Sequence, residues 1–198
     1  MLSPLARRDL PADTETLARY LIGKCVVRDL PQGRLSGRIV ETEAYIIGDA
    51  AGHAYRGMTP RTRSLFLGPG HAYVYLAYGT SWMLNVSSEA EGIGAGVLIR
   101  ALKPLDGIAI MQAHRGTQSL RDLARGPGRL ATALGIDRSL DGLDLCREGP
   151  LWLGQDDQAP GEIGQGIRIG ITKDADRHLR FFVLGSAFVS GPARLNSG

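Results

Sequence analysis

The sequence has few of the residues on which several classes of protein depend. It contains only two cysteines, Cys25 and Cys146, which lie far apart and form no metal-binding motif. One long-range disulfide is formally possible, but we expect both thiols to be reduced core residues. No apolar run approaches the ~20 residues that cross a bilayer, and the first residues lack the apolar stretch of a secretory signal. These absences predict a cytoplasmic protein without a membrane anchor.

Lysine is also scarce, because 20 of the 23 basic residues are arginine. The formal net charge of +3 is compatible with nucleic-acid binding but does not establish it. The excess of arginine suits phosphate recognition, because the planar guanidinium group can donate two hydrogen bonds to one phosphate. Genomic base composition explains the excess equally well. The four histidines show no metal-ligand spacing, and the 27 glycines include no phosphate-cradling motif. We therefore expect no metal and no cofactor.

The length of 198 residues suits a single domain, which we place at residues 1–198. One helix is predicted to begin after Asp13 and to end near Gly23, and two more to begin at Pro104 and Pro127. Apolar patterning and short turns predict strands over residues 25–27, 35–45, 71–78, 82–86, 95–102, 151–153, 166–172 and 180–184. Strands outnumber helices and do not alternate with them, so the expected fold class is α+β with a largely antiparallel sheet.

Two carboxylates occur in one predicted strand, within the string Val40-Glu41-Thr42-Glu43-Ala44-Tyr45. Because side chains alternate between the two faces of a strand, Glu41, Glu43 and Tyr45 should share one face. Exposed strands often carry glutamate, so a solvated surface is the simpler interpretation. A carboxylate beside an aromatic ring can also become a desolvated general base against a stacking platform.

The strand at residues 71–78 is rich in tyrosine, and the turn that follows it predicts a β-hairpin. Tyr73 and Tyr75 share a face, whereas Tyr78 falls at the hairpin tip. A position in the hydrophobic core suits Tyr73. It does not suit Tyr78, because a large aromatic side chain beside a tight turn has little core to pack into. An exposed aromatic at such a tip is suited to entering a base stack in place of an extruded nucleotide.

The loop at residues 53–63 begins at His53 and contains Arg56, Arg61 and Arg63. Such a loop is either simply solvated or supplies contacts to backbone phosphates. Phosphate contacts supply most of the non-specific affinity of proteins for nucleic acid.

Taken together and in order, these motifs resemble the 3-methyladenine (alkyladenine) DNA glycosylase family, its bacterial members in particular. The matching strings include Glu41-Thr42-Glu43-Ala44-Tyr45, His53-Ala54-Tyr55-Arg56-Gly57, Gly68-Pro69-Gly70-His71, Leu84-Asn85-Val86-Ser87-Ser88 and Arg180-Phe181-Phe182-Val183. Each string is weak alone, but their order over nearly the whole chain is specific. The resemblance implies a single α+β domain with a curved antiparallel sheet and a protruding hairpin that intercalates into DNA.

The resemblance also implies a role for each matching residue. Glu43 would be the catalytic base that deprotonates the attacking water. The flipped purine would be bound by Tyr45, His53, Tyr75, Asn85 and Arg100. Among these, the tyrosines would sandwich the base, Asn85 would exclude the exocyclic amine of guanine, and Arg100 would position the nucleotide or its phosphate. DNA would be contacted by Tyr78 as a wedge and by Arg56, Arg61 and Arg63.

The implied function is that of a monofunctional glycosylase of the bacterial type, which starts base excision repair. Such an enzyme flips alkylated purines out of damaged double-stranded DNA and hydrolyses the glycosidic bond with water, with deaminated and etheno purines as further candidate substrates. None of the lysines (Lys24, Lys103 and Lys173) lies in the segments of the implied site, so strand cleavage through a Schiff base is not expected. We expect a monomer near the nucleoid, without an obligate protein partner.

Two other interpretations of the residues stay open. A non-catalytic nucleic-acid-binding module on the same scaffold would keep Tyr78 and the arginines but could dispense with Glu43. A carbohydrate hydrolase would use Glu41 and Glu43 as a carboxylate pair, with Cα atoms roughly 6–7 Å apart. A carbohydrate cleft leaves the tyrosine at the tip and the arginine-rich loop unexplained.

Overall fold

The computed structural model describes residues 2–196, and its strands join in one antiparallel sheet. The strands are β1 (Ser3–Pro4), β2 (Cys25–Leu30), β3 (Gly33–Tyr45), β4 (Ala72–Ala77), β5 (Ser81–Ser87), β6 (Gly96–Asp106), β7 (Leu151–Gln155), β8 (Ile163–Gly166) and β9 (Arg180–Val183). The α-helices are α1 (Thr14–Leu21), α2 (Ile108–Arg115) and α3 (Pro127–Ala133). The strand order is β1-β7-β2-β3-β6-β5-β4, and β9 pairs with both β3 and β8.

Strand β3 is the centre of the sheet, because it pairs with β2, β6 and β9. Its register against β6 shifts on both sides of Glu41, and bulges of this kind bend a strand and increase its twist. The sheet curls into a half-barrel, which confirms the α+β class and the curved, largely antiparallel sheet. Strands β4 and β5 form the predicted hairpin, and β4 is the last strand at one edge.

Local sequence signals account for the helix starts. The side chain of Asp13 caps α1 by accepting the backbone N–H of Thr16 at 2.8 Å, and Leu17 and Leu21 of this helix are fully buried. Pro127 is the first residue of α3, where its missing N–H costs no helical hydrogen bond. The helices pack against the sheet around one main hydrophobic core.

Two predicted elements are wrong. Pro104 does not begin a helix but lies in β6, where Gly37 of β3 is its ladder partner. A proline is tolerated there because this end of β6 has no second neighbouring strand within residues 2–196. The helix begins instead at Ile108, after Gly107 with a φ of 71°.

The predicted strand at residues 166–172 is the second error, because β8 ends at Gly166 and a loop follows. Ile167, Ile169 and Ile171 alternate with other residues and so imitate a strand. No strand of the described residues pairs with them, and Arg168 is instead held by buried polar contacts.

The two cysteines are free thiols, as expected. Cys25 is buried and Cys146 is half-buried, and this burial raises the pKa of each thiol to about 11. Of the helices within residues 2–196, none combines the length and the apolar character needed to span a bilayer.

Candidate active site

A cavity of about 380 Å³ lies beside the end of β3, within the size range of small-ligand pockets. The β4–β5 hairpin, the start of β6 and the loops after β3 and β8 contribute to its wall. The wall includes Tyr45, His53, Tyr73, Tyr75, Tyr78, Asn85, Arg100 and Ile169. The structure therefore brings together every residue predicted to bind the base.

Glu43 is fully buried and lies directly behind this wall. Its Oε1 accepts the backbone N–H of Ile169 at 2.7 Å and lies 3.1 Å from Nη1 of Arg100. Its Oε2 accepts the hydroxyl of Tyr45 at 3.0 Å. All three partners line the cavity, although Glu43 itself does not.

Glu41 is equally buried but is bonded differently. Its Oε1 accepts Nε of Arg100 at 3.0 Å and Nε of Arg180 at 2.7 Å, and its Oε2 accepts the backbone N–H of Ser190 at 2.7 Å. The solvated-surface interpretation of this strand is therefore wrong, because arginines on β6 and β9 pair with the carboxylates inside the protein. Glu41 thus pairs with two arginines, whereas Glu43 pairs with one.

Burial acts on both glutamates, but their pKa values shift in opposite directions. Desolvation raises the pKa of a buried carboxyl group, and at Glu41 the Arg100 and Arg180 charges outweigh it and hold the pKa below its usual range. At Glu43 desolvation prevails over Arg100 and the hydrogen bond from Ile169, so the pKa is raised. Two carboxyl groups with separated pKa values indicate divided roles, and Glu43 is the one suited to accept a proton.

Arg100 links the two carboxylates and is itself buried. Nε bonds Glu41, Nη1 lies beside Glu43, and Nη2 donates to Oγ of Ser190 at 3.2 Å. Desolvation opposes the charge of Arg100, but Glu43 and Glu41 outweigh it and raise the pKa of the guanidinium. Arg100 thus holds Glu43 in place and also forms part of the cavity wall.

Three aromatic rings form one side of the cavity. The His53 ring lies 4.4 Å from the Tyr75 ring, which stacks on Tyr73 at 5.3 Å, and a hydrogen bond of 2.9 Å joins Nδ1 of His53 to the Tyr73 hydroxyl. Desolvation and the Arg61 charge lower the pKa of His53, which favours a neutral imidazole. Because these rings touch one another, a planar ligand has no room between them and must lie against their outer surface.

Asn85 is buried on β5, opposite Tyr73 of β4. Its Nδ2 donates to the backbone carbonyl of Tyr73 at 3.1 Å. This bond ties the amide group to the hairpin backbone at the point where Asn85 lines the cavity.

The tip of the β4–β5 hairpin presents Tyr78 to solvent. Tyr78 is 88% exposed and has a φ of 52°, a left-handed conformation that is costly for a residue with a side chain. Gly79 follows with a φ of 71°, so two consecutive residues have positive φ, as a type I′ turn requires. An exposed aromatic ring in a strained conformation indicates a functional rather than a packing role.

The predicted DNA-binding arginines fall into two groups. Arg61 donates to the carbonyl of Leu76 at 3.4 Å and lies 5.7 Å above the Tyr75 ring, so it joins its loop to the hairpin. Arg56 and Arg63 are exposed, and in the described part of the chain neither side chain forms a hydrogen bond or ion pair. Exposed guanidinium groups of this kind are free to bind phosphate.

Sequence reasoning missed several residues that complete the site. Ile169 supplies the amide that binds Glu43, and Arg168 packs against Tyr45 while paired with Asp49. Both loop residues lie in the range mistaken for a strand. An arginine between two isoleucines was the available signal, because a strand buried between layers has no place for an unpaired charge.

Known proteins of similar sequence identify the family. The model of the methylpurine-DNA glycosylase family matches residues 8–187. A protein of Mesorhizobium japonicum is 76% identical over 192 residues, which cover 97% of this chain and 92% of that protein. A protein of Paraburkholderia phytofirmans is 55% identical, covering 97% and 90%, and one of Rubrobacter xylanophilus is 48% identical, covering 90% and 92%. All three are provisionally named 3-methyladenine DNA glycosylases. The chain therefore belongs to the methylpurine-DNA glycosylase family.

Proposed function

We propose that this DNA glycosylase flips alkylated purines out of duplex DNA into the aromatic cavity and releases them by water attack, with Glu43 as the base. The observation that carries the proposal is the pairing of a buried carboxyl group of raised pKa with a cavity walled by tyrosines. Carboxylates with raised pKa are suited to general-base work near neutral pH. Release of the base would start base excision repair.

An alkylated purine is a good leaving group without further protonation. Alkylation at N3 or N7 leaves the purine cationic, so the electron pair of the breaking C–N bond goes to the base and neutralises it. The water oxygen forms the new bond to the anomeric carbon, and Glu43 takes the proton that the water loses. The negative charge of Glu43 also stabilises the positive charge that develops on the sugar.

The free protein keeps Glu43 closed off from solvent. The proposal therefore requires the wall formed by Tyr45, Arg100 and Ile169 to admit one water when a nucleotide enters. The hydroxyl of Tyr45 occupies Oε2 of Glu43, so the water that enters must replace this hydrogen bond.

Base recognition follows from the arrangement of the rings. The flipped purine lies between Tyr45 and the surface formed by His53 and Tyr75, because those two rings leave no gap between themselves. Asn85 rejects guanine through conflict with its exocyclic amine. Arg100 retains N–H groups on its terminal nitrogens, through which it positions the nucleotide.

DNA binding is assigned to the surface around the cavity. Tyr78 fills the space that the flipped nucleotide leaves in the stack, which offsets part of the few kcal/mol that flipping costs. Arg56 and Arg63 bind phosphates, and Arg61 supports the hairpin while facing the backbone. Tyr55, which is 57% exposed on the cavity wall, adds apolar surface to this face.

The test is release of free base from duplexes that differ only in one lesion. We expect excision of 3-methyladenine and 7-methylguanine by the native protein, and no excision by Glu43→Gln. Hypoxanthine and 1,N6-ethenoadenine in the same duplex measure the breadth of the site, because neutral bases need additional protonation. A native protein that binds the duplexes without releasing any base would instead support a non-catalytic binding module.

A further inference from the structure

Arg168 and Asp49 form an ion pair with no exposed side-chain surface on either partner. Nη2 of Arg168 donates to Oδ1 of Asp49 at 3.1 Å, and Nη1 bonds Oδ2. The same guanidinium donates to the carbonyls of Ala44 and Asp174, each at 3.1 Å. Arg168 is therefore fixed by four hydrogen bonds.

The guanidinium also packs on an aromatic ring of the cavity. Its carbon lies 4.7 Å from the centre of the Tyr45 ring, within the range of a cation–π contact. Tyr45 lines the cavity and Arg168 does not, so Arg168 supports the ring from behind.

The same segment reaches the catalytic carboxylate. Ile169, the next residue, donates its backbone N–H to Glu43 at 2.7 Å. On the other side of the ion pair, Asp174 accepts the backbone N–H of Ala50 at 2.8 Å. The pair thus joins the loop after β3 to the loop after β8, and both loops contribute to the cavity wall.

Stability alone does not account for this arrangement. Burial of an ion pair is costly, and well-packed apolar residues are often as stable or more so. Nε of Arg168 is also buried without a hydrogen-bond partner among the described residues. Unlike apolar residues, the ion pair supplies a planar guanidinium group that is held at a fixed angle against the Tyr45 ring.

We propose that Arg168, locked by Asp49, is a positioning residue that fixes the plane of Tyr45 and, through Ile169, the orientation of the Glu43 carboxylate. The proposal rests on the proposed function, because it gives Tyr45 and Glu43 their roles in base binding and water activation. Arg168 itself touches neither the base nor the water.

The main test removes both charges together in Asp49→Asn/Arg168→Gln, which leaves no unpaired charge in the core. We expect single-turnover excision of 7-methylguanine to fall by about 10- to 100-fold, the scale of a slight misplacement of reacting groups. Affinity for undamaged duplex should not change. The acid limb of the pH–rate profile should move to higher pH, because the hydrogen bond from Ile169 lowers the pKa of Glu43 and is weakened in the variant.

The matched control is Arg177→Gln, which removes an exposed arginine of the same loop that lies 4.0 Å from Asp174. It should behave like the native protein in all three measurements. Arg168→Lys retains a charge opposite Asp49 but not the planar face, and we expect it to lose activity as the double variant does. Native activity in Arg168→Lys would show that the charge suffices and would overturn the stacking role.

A double-mutant cycle separates positioning from general loosening. In a Tyr45→Ala background the double variant should cause little further loss of lesion affinity, because the ring that Arg168 supports is gone. Losses that add in full would overturn the proposal.

A measurement without catalysis completes the test. Ring-labelled tyrosine, with the Tyr45 signals assigned from Tyr45→Phe, should show faster ring flipping in the double variant than in the native protein. That result together with a native protein that releases no base would overturn the proposed function but not the positioning of the ring. Unchanged ring flipping and an unchanged pH–rate profile would overturn the positioning role alone.

Discussion

Two glutamates separated by one threonine are buried to the same extent and yet differ in their preference for charge. Each accepts one backbone amide, but Glu41 pairs with two arginines, whereas Glu43 shares one arginine and accepts the hydroxyl of Tyr45. The number of cations that each carboxylate meets therefore decides which one can accept a proton. Strand alternation places them on one face, but only the tertiary contacts distinguish them.

At the residue scale, Glu43→Gln should lower excision by at least ~10²-fold while DNA binding is kept, because the substitution preserves volume and removes only the base. Glu41→Gln should affect excision far less, and its main effect should be on folding. Loss of a partner from a buried ion pair costs about 3–5 kcal/mol, which a thermal melt would detect. Single-turnover excision and duplex affinity of both variants check the assignment, and the reverse order of the two activity losses would refute it.

The raised pKa of Glu43 predicts a pH dependence. The ionised carboxylate is the active form, so excision of 7-methylguanine should decrease as the pH falls through the raised pKa. The acid limb should lie above ~4.3, the ordinary value for glutamate. Rates measured from acid to neutral pH, with duplex affinity followed in parallel, provide the test. A limb at or below the ordinary value would contradict the assignment of Glu43 as the base.

At the scale of elements, the hairpin tip combines an exposed ring with a strained backbone. Tyr78→Ala should lower affinity for lesion-containing duplex more than for undamaged duplex, because only the flipped state leaves a gap to fill. Its melting temperature should not fall, because the side chain is 88% exposed and makes little contact with the protein. Gln32→Ala, in the exposed turn between β2 and β3, is the control. Equal losses on both duplexes would reduce Tyr78 to a general contact.

The arginine-rich loop should act through charge alone. Arg56→Gln and Arg63→Gln should each weaken binding to damaged and undamaged duplexes by the same factor. Each should also lower the slope of log affinity against log salt concentration by about 1. Arg147→Gln, an exposed arginine outside this loop, should leave the slope unchanged. Titrations at several salt concentrations distinguish the cases, and slopes equal to that of the native protein would exclude phosphate contacts from these two residues.

Elements with local signals were predictable from the sequence, and those fixed by distant partners were not. The β4–β5 hairpin and the start of α1 follow from turn and capping residues close to them in the chain. Pro104 resembles a helix start, but it is tolerated in β6 because no second strand of the described residues pairs beside it. Arg168 lies in a strand-like pattern, and its partner Asp49 is 119 residues away. The base-binding residues were predicted from the family resemblance. The residues that hold them in place, such as Arg168 and Ile169, could be identified only from the folded structure.

At the scale of the whole molecule, no lysine among the described residues lines the cavity. Lys24 donates to Gln155 of β7, which lies toward the edge of the sheet opposite the β4–β5 hairpin. Neither Lys103 nor Lys173 lines the cavity wall. The amine of Met1 lies outside the described residues. This arrangement favours water as the nucleophile of the proposed reaction, since a Schiff base with the sugar needs a nearby amine.

We therefore predict an intact abasic strand as the product. Borohydride should trap no covalent adduct between protein and DNA, and strand cleavage should appear only after hot alkali. A bifunctional glycosylase assayed in parallel shows that the trapping works. An adduct that disappears on mutation of one lysine would refute the monofunctional assignment and leave the base-flipping proposal intact.

The burial of the two thiols affects how readily the protein itself reacts with methylating agents. Burial raises the pKa of each thiol to about 11, so both cysteines are protonated at pH 7, and the thiolate is the form that electrophiles attack. Methylating agents that damage purines are such electrophiles. The two cysteines thus present little nucleophilic thiolate to the chemicals that alkylate purines.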